Sequence, residues 1–149
     1  MTSSVEILKN HKLRITPFRV EVLDIFAKAE YALTMGDIEN KLVGFDKVTL
    51  YRTLKSFEEK GVIHKALDGT NHPKFAICEA HCQEHHHHDE HVHFHCLKCE
   101  NTFCVESVFI PEVTMPDGFK VKQTDIIVSG VCEKCVLGAD GTLKSSIHK

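Results

Sequence analysis

Long apolar runs are missing from this chain. No stretch approaches the ~18 apolar residues of a membrane span, and the N-terminus, MTSSVEILKNHKLR, has no apolar segment of the secretory kind. The expectation is a cytoplasmic protein with no membrane partner. An overall excess of positive charge is missing as well. Lys and Arg number 18 against 21 Asp and Glu, net −3, so the chain as a whole does not have the charge of a nucleic-acid binder. The zinc-protease motif H-E-x-x-H is absent. His88-Asp89-Glu90 has the H-x-E form of a zinc deaminase, but neither cysteine pair has the preceding proline of P-C-x-x-C. In a segment this rich in His and acid, chance explains the triplet. No catalytic constellation is left, so neither an enzyme nor a small-molecule substrate is expected.

The distribution of what is present says more. Residues 1–74 carry twelve Lys/Arg against ten Asp/Glu, and residues 75–149 six against eleven, so any DNA contact should come from the first half. The seven cysteines are an odd number, which argues against a disulfide framework and for thiolate ligands. Four of them form two C-x-x-C pairs, Cys96/Cys99 and Cys132/Cys135. Four thiolates satisfy a tetrahedral zinc ion, so these pairs predict a closed structural site. Buried free thiols explain two pairs less well, and nothing else favours an iron–sulfur cluster.

Apolar periodicity predicts a short helix over 5–12. Thr16-Pro17 starts a second helix along Phe18, Val22, Phe26 and Ala29. Thr34-x-x-Asp37 opens a third through Ile38 and Leu42, ended by Gly44. Asp46 caps a fourth with a Leu50, Leu54, Phe57 stripe, stopped by Gly61. The period then shortens. Residues 62–67 and 74–78 read as strands around the turn residues 68–73. Helices followed by a β-hairpin imply a winged helix-turn-helix whose fourth helix enters the major groove. Strands are also expected over 91–96, 102–108 and 119–131. The resulting organisation is α+β: a winged-helix DNA-binding domain over 1–78, a His-rich linker over 79–90, a small α/β metal-binding dimerisation domain over 91–137 and a flexible tail over 138–149. Large apolar residues are few in the second half, so a metal staple and a partner subunit are expected there.

A histidine-dense segment precedes the first cysteine pair: His81, His85 to His88, His91, His93 and His95. In a strand, residues of one parity share a face, so His91 and His93 can reach one ion while Val92 and Phe94 point the other way. His64 and Cys78, on the two wing strands, are the best further ligands. A set of His64, Cys78, His91 and His93 would join wing to metal domain and let a metal act on the reading head. Three imidazoles and a thiolate suit Zn(II), whereas Fe(II) or Mn(II) favour carboxylate-rich sites. The run His85–His88 lacks preorganisation and reads either as a segment that delivers or buffers metal or as an accidental polar tract. Cys82 and Cys104 are left over, Cys104 as a packed strand residue or an alternative ligand.

The combination resembles the ferric uptake regulator family of metal-dependent bacterial repressors. The resemblance is carried by Leu13-Arg14-Ile15-Thr16-Pro17-Phe18-Arg19, Val48-Thr49-Leu50-Tyr51-Arg52-Thr53-Leu54, His91-Val92-His93-Phe94-His95-Cys96-Leu97-Lys98-Cys99 and Cys132-Glu133-Lys134-Cys135. It implies a homodimer that binds double-stranded operator DNA when metal is bound. It also implies roles: Tyr51 and Arg52 on base and phosphate, with neighbouring Thr49 on the same motif, Arg14 near the minor groove and Arg19 on the backbone. Departures refine the subtype. Glu30-Tyr31-Ala32-Leu33 stands where iron-sensing members place a His, Ala76 where they place a Glu, and Cys104 where peroxide-sensing members need a carboxylate. Val92 and Thr124 replace an Asp and a His of the family's additional site. The resemblance thus implies a zinc-sensing repressor of metal-uptake genes. An iron-responsive or broad-metal regulator is the alternative, and a metal-buffering protein a distant one.

Overall fold

The computed structural model describes residues 2–77, 92–105, 112–122 and 124–138. Among these, 2–66 with 72–77 form one compact unit, and 67–71 with the described residues from 92 onward form a second. The fold is α+β.

The first unit runs α1 (Ser4–Asn10), α2 (Pro17–Lys28), β1 (Leu33–Thr34), α3 (Met35–Asn40), α4 (Lys47–Glu59), β2 (Ile63–Lys65) and β3 (Lys74–Ile77). Its helices begin where the sequence supplies a side-chain acceptor for otherwise orphaned amides. Thr16 Oγ1 accepts the Arg19 N–H at 3.2 Å, with Pro17 in the first turn. Thr34 and Asp37 satisfy each other's backbone N–H at 3.0 Å in a full capping box. Asp46 Oδ2 accepts the Thr49 N–H at 2.9 Å. Helix α4 ends at a left-handed Gly61 (φ +79°). There Gly61 N–H reaches Glu58 O at 3.2 Å and Val62 N–H reaches Phe57 O at 2.8 Å. That bond pair is a Schellman stop, and the buried Val62 and Phe57 make it hydrophobic too.

Leu8, Val22, Leu23, Phe26, Ile38, Leu50, Phe57 and Phe75 lead one apolar core under the helices and sheet. Strand β3 lies between β1 and β2, antiparallel to both, with His64 opposite Ala76. This is the winged helix expected from the sequence, with shorter elements. The wing strands occupy 63–65 and 74–77, and α3 stops at Asn40 rather than Leu42. The two-residue β1 carries too little pattern to be read from sequence.

The second unit holds β4 (Val92–Cys96), β5 (Thr102–Val105), β6 (Ile126–Gly130) and α5 (Glu133–Gly138). The sheet order is β5-β4-β6, with β4 antiparallel to β5 and parallel to β6. Gly130 packs closely, since a Cβ there would lie 3.2 Å from the Phe94 ring, which would have to shift by a few tenths of an ångström. Two expectations need correction. Among the described residues the long strand expected over 119–131 is the five-residue β6, which pairs with the five residues of β4. Gly138, expected to open the tail, lies in α5, a helix the sequence analysis did not anticipate. Most of the expected linker and tail lies outside the described residues.

Candidate metal centre and nucleic-acid interface

Cys96 closes β4, Cys99 sits in the turn to β5, Cys132 follows β6 and Cys135 lies in α5. These elements bring four Sγ atoms within 4.8 Å of one another. Cys99 Sγ and Cys132 Sγ are 3.9 Å apart. A tetrahedral ion with Zn–S bonds near 2.3 Å sets its sulfurs about 3.8 Å apart, whereas a disulfide needs about 2 Å. The donor set therefore fits a tetrahedral cation and not an oxidised pair.

The electrostatics agree with that fit. Burial opposes a thiolate at Cys96, but the N–H groups of Cys99, Cys132 and Lys98, at 3.4, 3.3 and 3.4 Å, outweigh it. The Cys96 thiol falls from 9.0 to about 6. Desolvation first, then the sulfurs of Cys132, Cys96 and Cys99, push Cys135 up to about 12. Cys99 is raised as well, chiefly by burial. One negative charge is welcome here and further ones are opposed, until a cation neutralises them.

Of the expected regulatory ligands, Cys78 and His91 lie outside the described residues. His64 is on β2 in the first unit and buried. His93 is on β4 in the second unit, 5% exposed. Cys104, expected as a packed strand residue or an alternative ligand, lies on β5 as the register partner of His93 across β4–β5. A ring nitrogen of His93 and Cys104 Sγ lie within 4.8 Å of each other. Counting could have found this pair. The turn closes with Cys96 N–H on Asn101 O at 2.9 Å, and three residues outward on each side lie His93 and Cys104.

The amphipathic α4 buries Leu50, Thr53, Leu54 and Phe57 and turns Lys47, Val48, Tyr51, Arg52 and Lys55 to solvent. Tyr51 is 57% exposed, high for an aromatic with no role in the core. Arg14 is exposed in the α1–α2 connection, and Arg19 Nη1 donates to its carbonyl at 2.9 Å. Thr49 is exposed, and its hydroxyl donates to Asp46 Oδ2 at 2.9 Å in the helix cap.

Asp46 is held below its ordinary 3.8, first by the Thr49 N–H and then by the Thr49 hydroxyl. A depressed carboxyl contributes fully above the unfolded value and loses its contribution as pH falls through the lower folded one. Amide protection in the first turn of α4 is therefore expected to fall selectively below pH 3.8. Asp46→Asn, which caps without titrating, should abolish that selective step in hydrogen-exchange spectra.

A winged helix with a polar, exposed reading helix, coupled in one chain to a unit with a four-thiol cluster, defines a metal-responsive DNA-binding regulator. The chain belongs to the ferric uptake regulator family, whose description matches residues 10–129. A ferric uptake regulation protein of Staphylococcus aureus is 34% identical over 140 residues, covering 89% of this chain and 95% of that protein. Among solved structures, a zinc uptake regulator complexed with zinc and DNA is similar with a TM-score of 0.64 at 23% identity, covering 89% of each chain. A zinc-bound manganese uptake regulator is similar with a TM-score of 0.62 at 17% identity, covering 88% of this chain and 99% of the other. At those identities the likeness is one of fold. Family membership makes the chain a transcription regulator rather than an enzyme. Among the described residues, no helix is long and apolar enough to cross a membrane.

Proposed function

We propose that this regulator is a cytoplasmic zinc-responsive repressor of metal-uptake genes, active as a homodimer on double-stranded operator DNA. Cys96, Cys99, Cys132 and Cys135 would hold a structural Zn2+, which supplies a four-way cross-link to a unit with little apolar core. The sensing set would be His93 with His64, Cys78 and His91, joined by Cys104. The observation that carries zinc over iron is the His93–Cys104 pair. Imidazole nitrogen beside thiol sulfur is a soft donor pair, with sulfur where a Mn(II) or Fe(II) site would favour carboxylate. Tyr51, Arg52 and Thr49 on α4, with Arg14 and Arg19, would contact the operator. Dimerisation is supported by the second unit's apolar exposure. Among the described strands β6 is at the edge of this sheet, and Ile127, Val128, Val121 and Phe119 are exposed on or just before it.

The iron reading has its own support, because the S. aureus relative at 34% identity is named for ferric uptake regulation. One titration separates the two. Operator binding is measured anaerobically against buffered Zn(II), Fe(II) and Mn(II), for wild type and for Cys78→Ser and Cys104→Ser. Zinc should activate at the lowest free-metal level, with the midpoint moved about tenfold or more in each variant. Activation by iron or manganese at cell-like free levels, indifferent to both cysteines, would establish the iron reading instead.

A further inference from the structure

Asp68 has no place in the metal or DNA sites described so far, yet its side chain is almost completely buried in the second unit. A carboxylate so buried must be met by donors. Asp68 Oδ1 accepts the Thr70 N–H at 2.9 Å and the Thr70 hydroxyl at 2.6 Å. Its Oδ2 accepts the Thr102 hydroxyl at 2.7 Å. His95 Nδ1 lies 3.1 Å from Thr102 Oγ1 and 3.5 Å from Asp68 Oδ2. Thr102 and His95 are register partners on β5 and β4, and Thr102 is fully buried.

The five residues 67–71 are thus built into the second unit by one carboxylate, with Gly69 at φ +83° allowing the turn. The same five residues lie within the connection 66–73 that joins β2 to β3. Ala66, whose N–H reaches Lys74 O at 2.9 Å, closes that hairpin immediately before the segment begins. On the other side, His95 lies between His93 and Cys96 on β4, the strand that carries ligands of both candidate metal sites. A short connection with its conformation fixed at both ends transmits displacement, where a long polar one would absorb it.

We propose that Asp68, Thr102 and His95 form a positioning clamp through which the state of β4 reaches the β2–β3 hairpin and hence the DNA-reading head. The inference rests on the metal-responsive reading above. It assigns the transmission to this clamp rather than to the His-rich segment 79–90. It also gives the buried His95 a role outside metal ligation.

The quantity to measure is the ratio of operator affinities with and without saturating metal. Thr102→Val keeps the shape of the side chain and removes the hydroxyl between His95 and Asp68. A second variant inserts two glycines after Ala66 and two after Asn71, which leaves the clamp intact and lengthens only its connections to the hairpin. In each, the ratio should fall about tenfold, within the usual range of allosteric couplings, while the metal content of the four-cysteine site is unchanged. Thr102→Ser, which restores a hydroxyl, should return the ratio to within about twofold of wild type. If Thr102→Val fails to fold, the glycine variant decides. A wild-type ratio retained in the folded variants overturns the clamp alone. A wild type whose affinity ignores every metal overturns the regulatory reading and the clamp with it.

Discussion

Cys96→Ser should lose the structural metal and unfold the second unit while leaving the first folded. Cys96 is fully buried and takes three backbone N–H groups on its sulfur. A serine is smaller and does not ionise near neutral pH, so the site loses its lowest-energy anion together with one ligand. Structural zinc sites contribute about 10–16 kcal/mol of apparent free energy in small peptides, against about 5–15 kcal/mol for the stability of a whole domain. The second unit has little to offset such a loss. Among its described residues the fully buried side chains are Cys96 and Thr102, whereas the first unit fully buries Phe57, Leu8, Leu23, Leu33, Ile38, Leu50 and Ile63. Metal analysis should therefore show about one equivalent fewer per chain. Amide spectra should retain the dispersed α1–α4 signals and lose those of β4–β6. A folded, metal-replete Cys96→Ser protein would remove the cluster from its structural role.

Acid should reproduce the mutation reversibly. The Cys96 thiol is depressed from 9.0 to about 6, so the stabilisation from its thiolate is complete above 9.0 and vanishes as pH falls through about 6. Protons then compete with metal for the sulfurs. Metal release on acidification should coincide with loss of the β4–β6 signals and precede the melting of the helical unit.

The parts of this molecule legible in its sequence are those fixed by local chemistry. Thr16-Pro17, Thr34-x-x-Asp37 and Asp46 satisfy helix amides within three residues, so their helices begin where expected. Two C-x-x-C pairs announce a four-thiol site because few other arrangements need that spacing. Features that depend on a distant partner were not legible. Residues 119–122 have the apolar content of a strand, but among the described residues β4 pairs with 126–130. The parallel pairing of β4 with β6 leaves no local trace at all. Asp68 sits among residues of turn type and was read as turn chemistry, which it is through Thr70, but its bond to Thr102 spans 34 residues. Cys104 falls between these cases. Its place opposite His93 follows from counting outward from the knuckle, a step that requires taking the cysteine turn as the centre of a hairpin.

Arg52→Ala should cost operator binding about 1–3 kcal/mol, which is about five- to 150-fold, and relax discrimination at one base position. Arg52 lies on the solvent face of α4, on the turn after the Asp46 cap, while Leu50, Thr53, Leu54 and Phe57 fix the opposite face in the core. Removing it leaves the core, the cap and the Schellman stop intact, so the unfolding midpoint should hold. That separation lets the loss be assigned to recognition rather than to folding. Lys55→Ala takes a charge from the same face without removing a planar, bidentate fork. Its effect should be uniform across sequences and appear in the salt slope, which changes by about one unit if the lysine meets a phosphate and not at all if it stays solvated. A base-substitution series on the operator compares the two variants directly. If Arg52→Ala lowers affinity by the same factor on every sequence, α4 positions the protein on the backbone and base reading belongs elsewhere in the first unit. If the loss disappears at a single substituted guanine, Arg52 reads that base through its two hydrogen bonds.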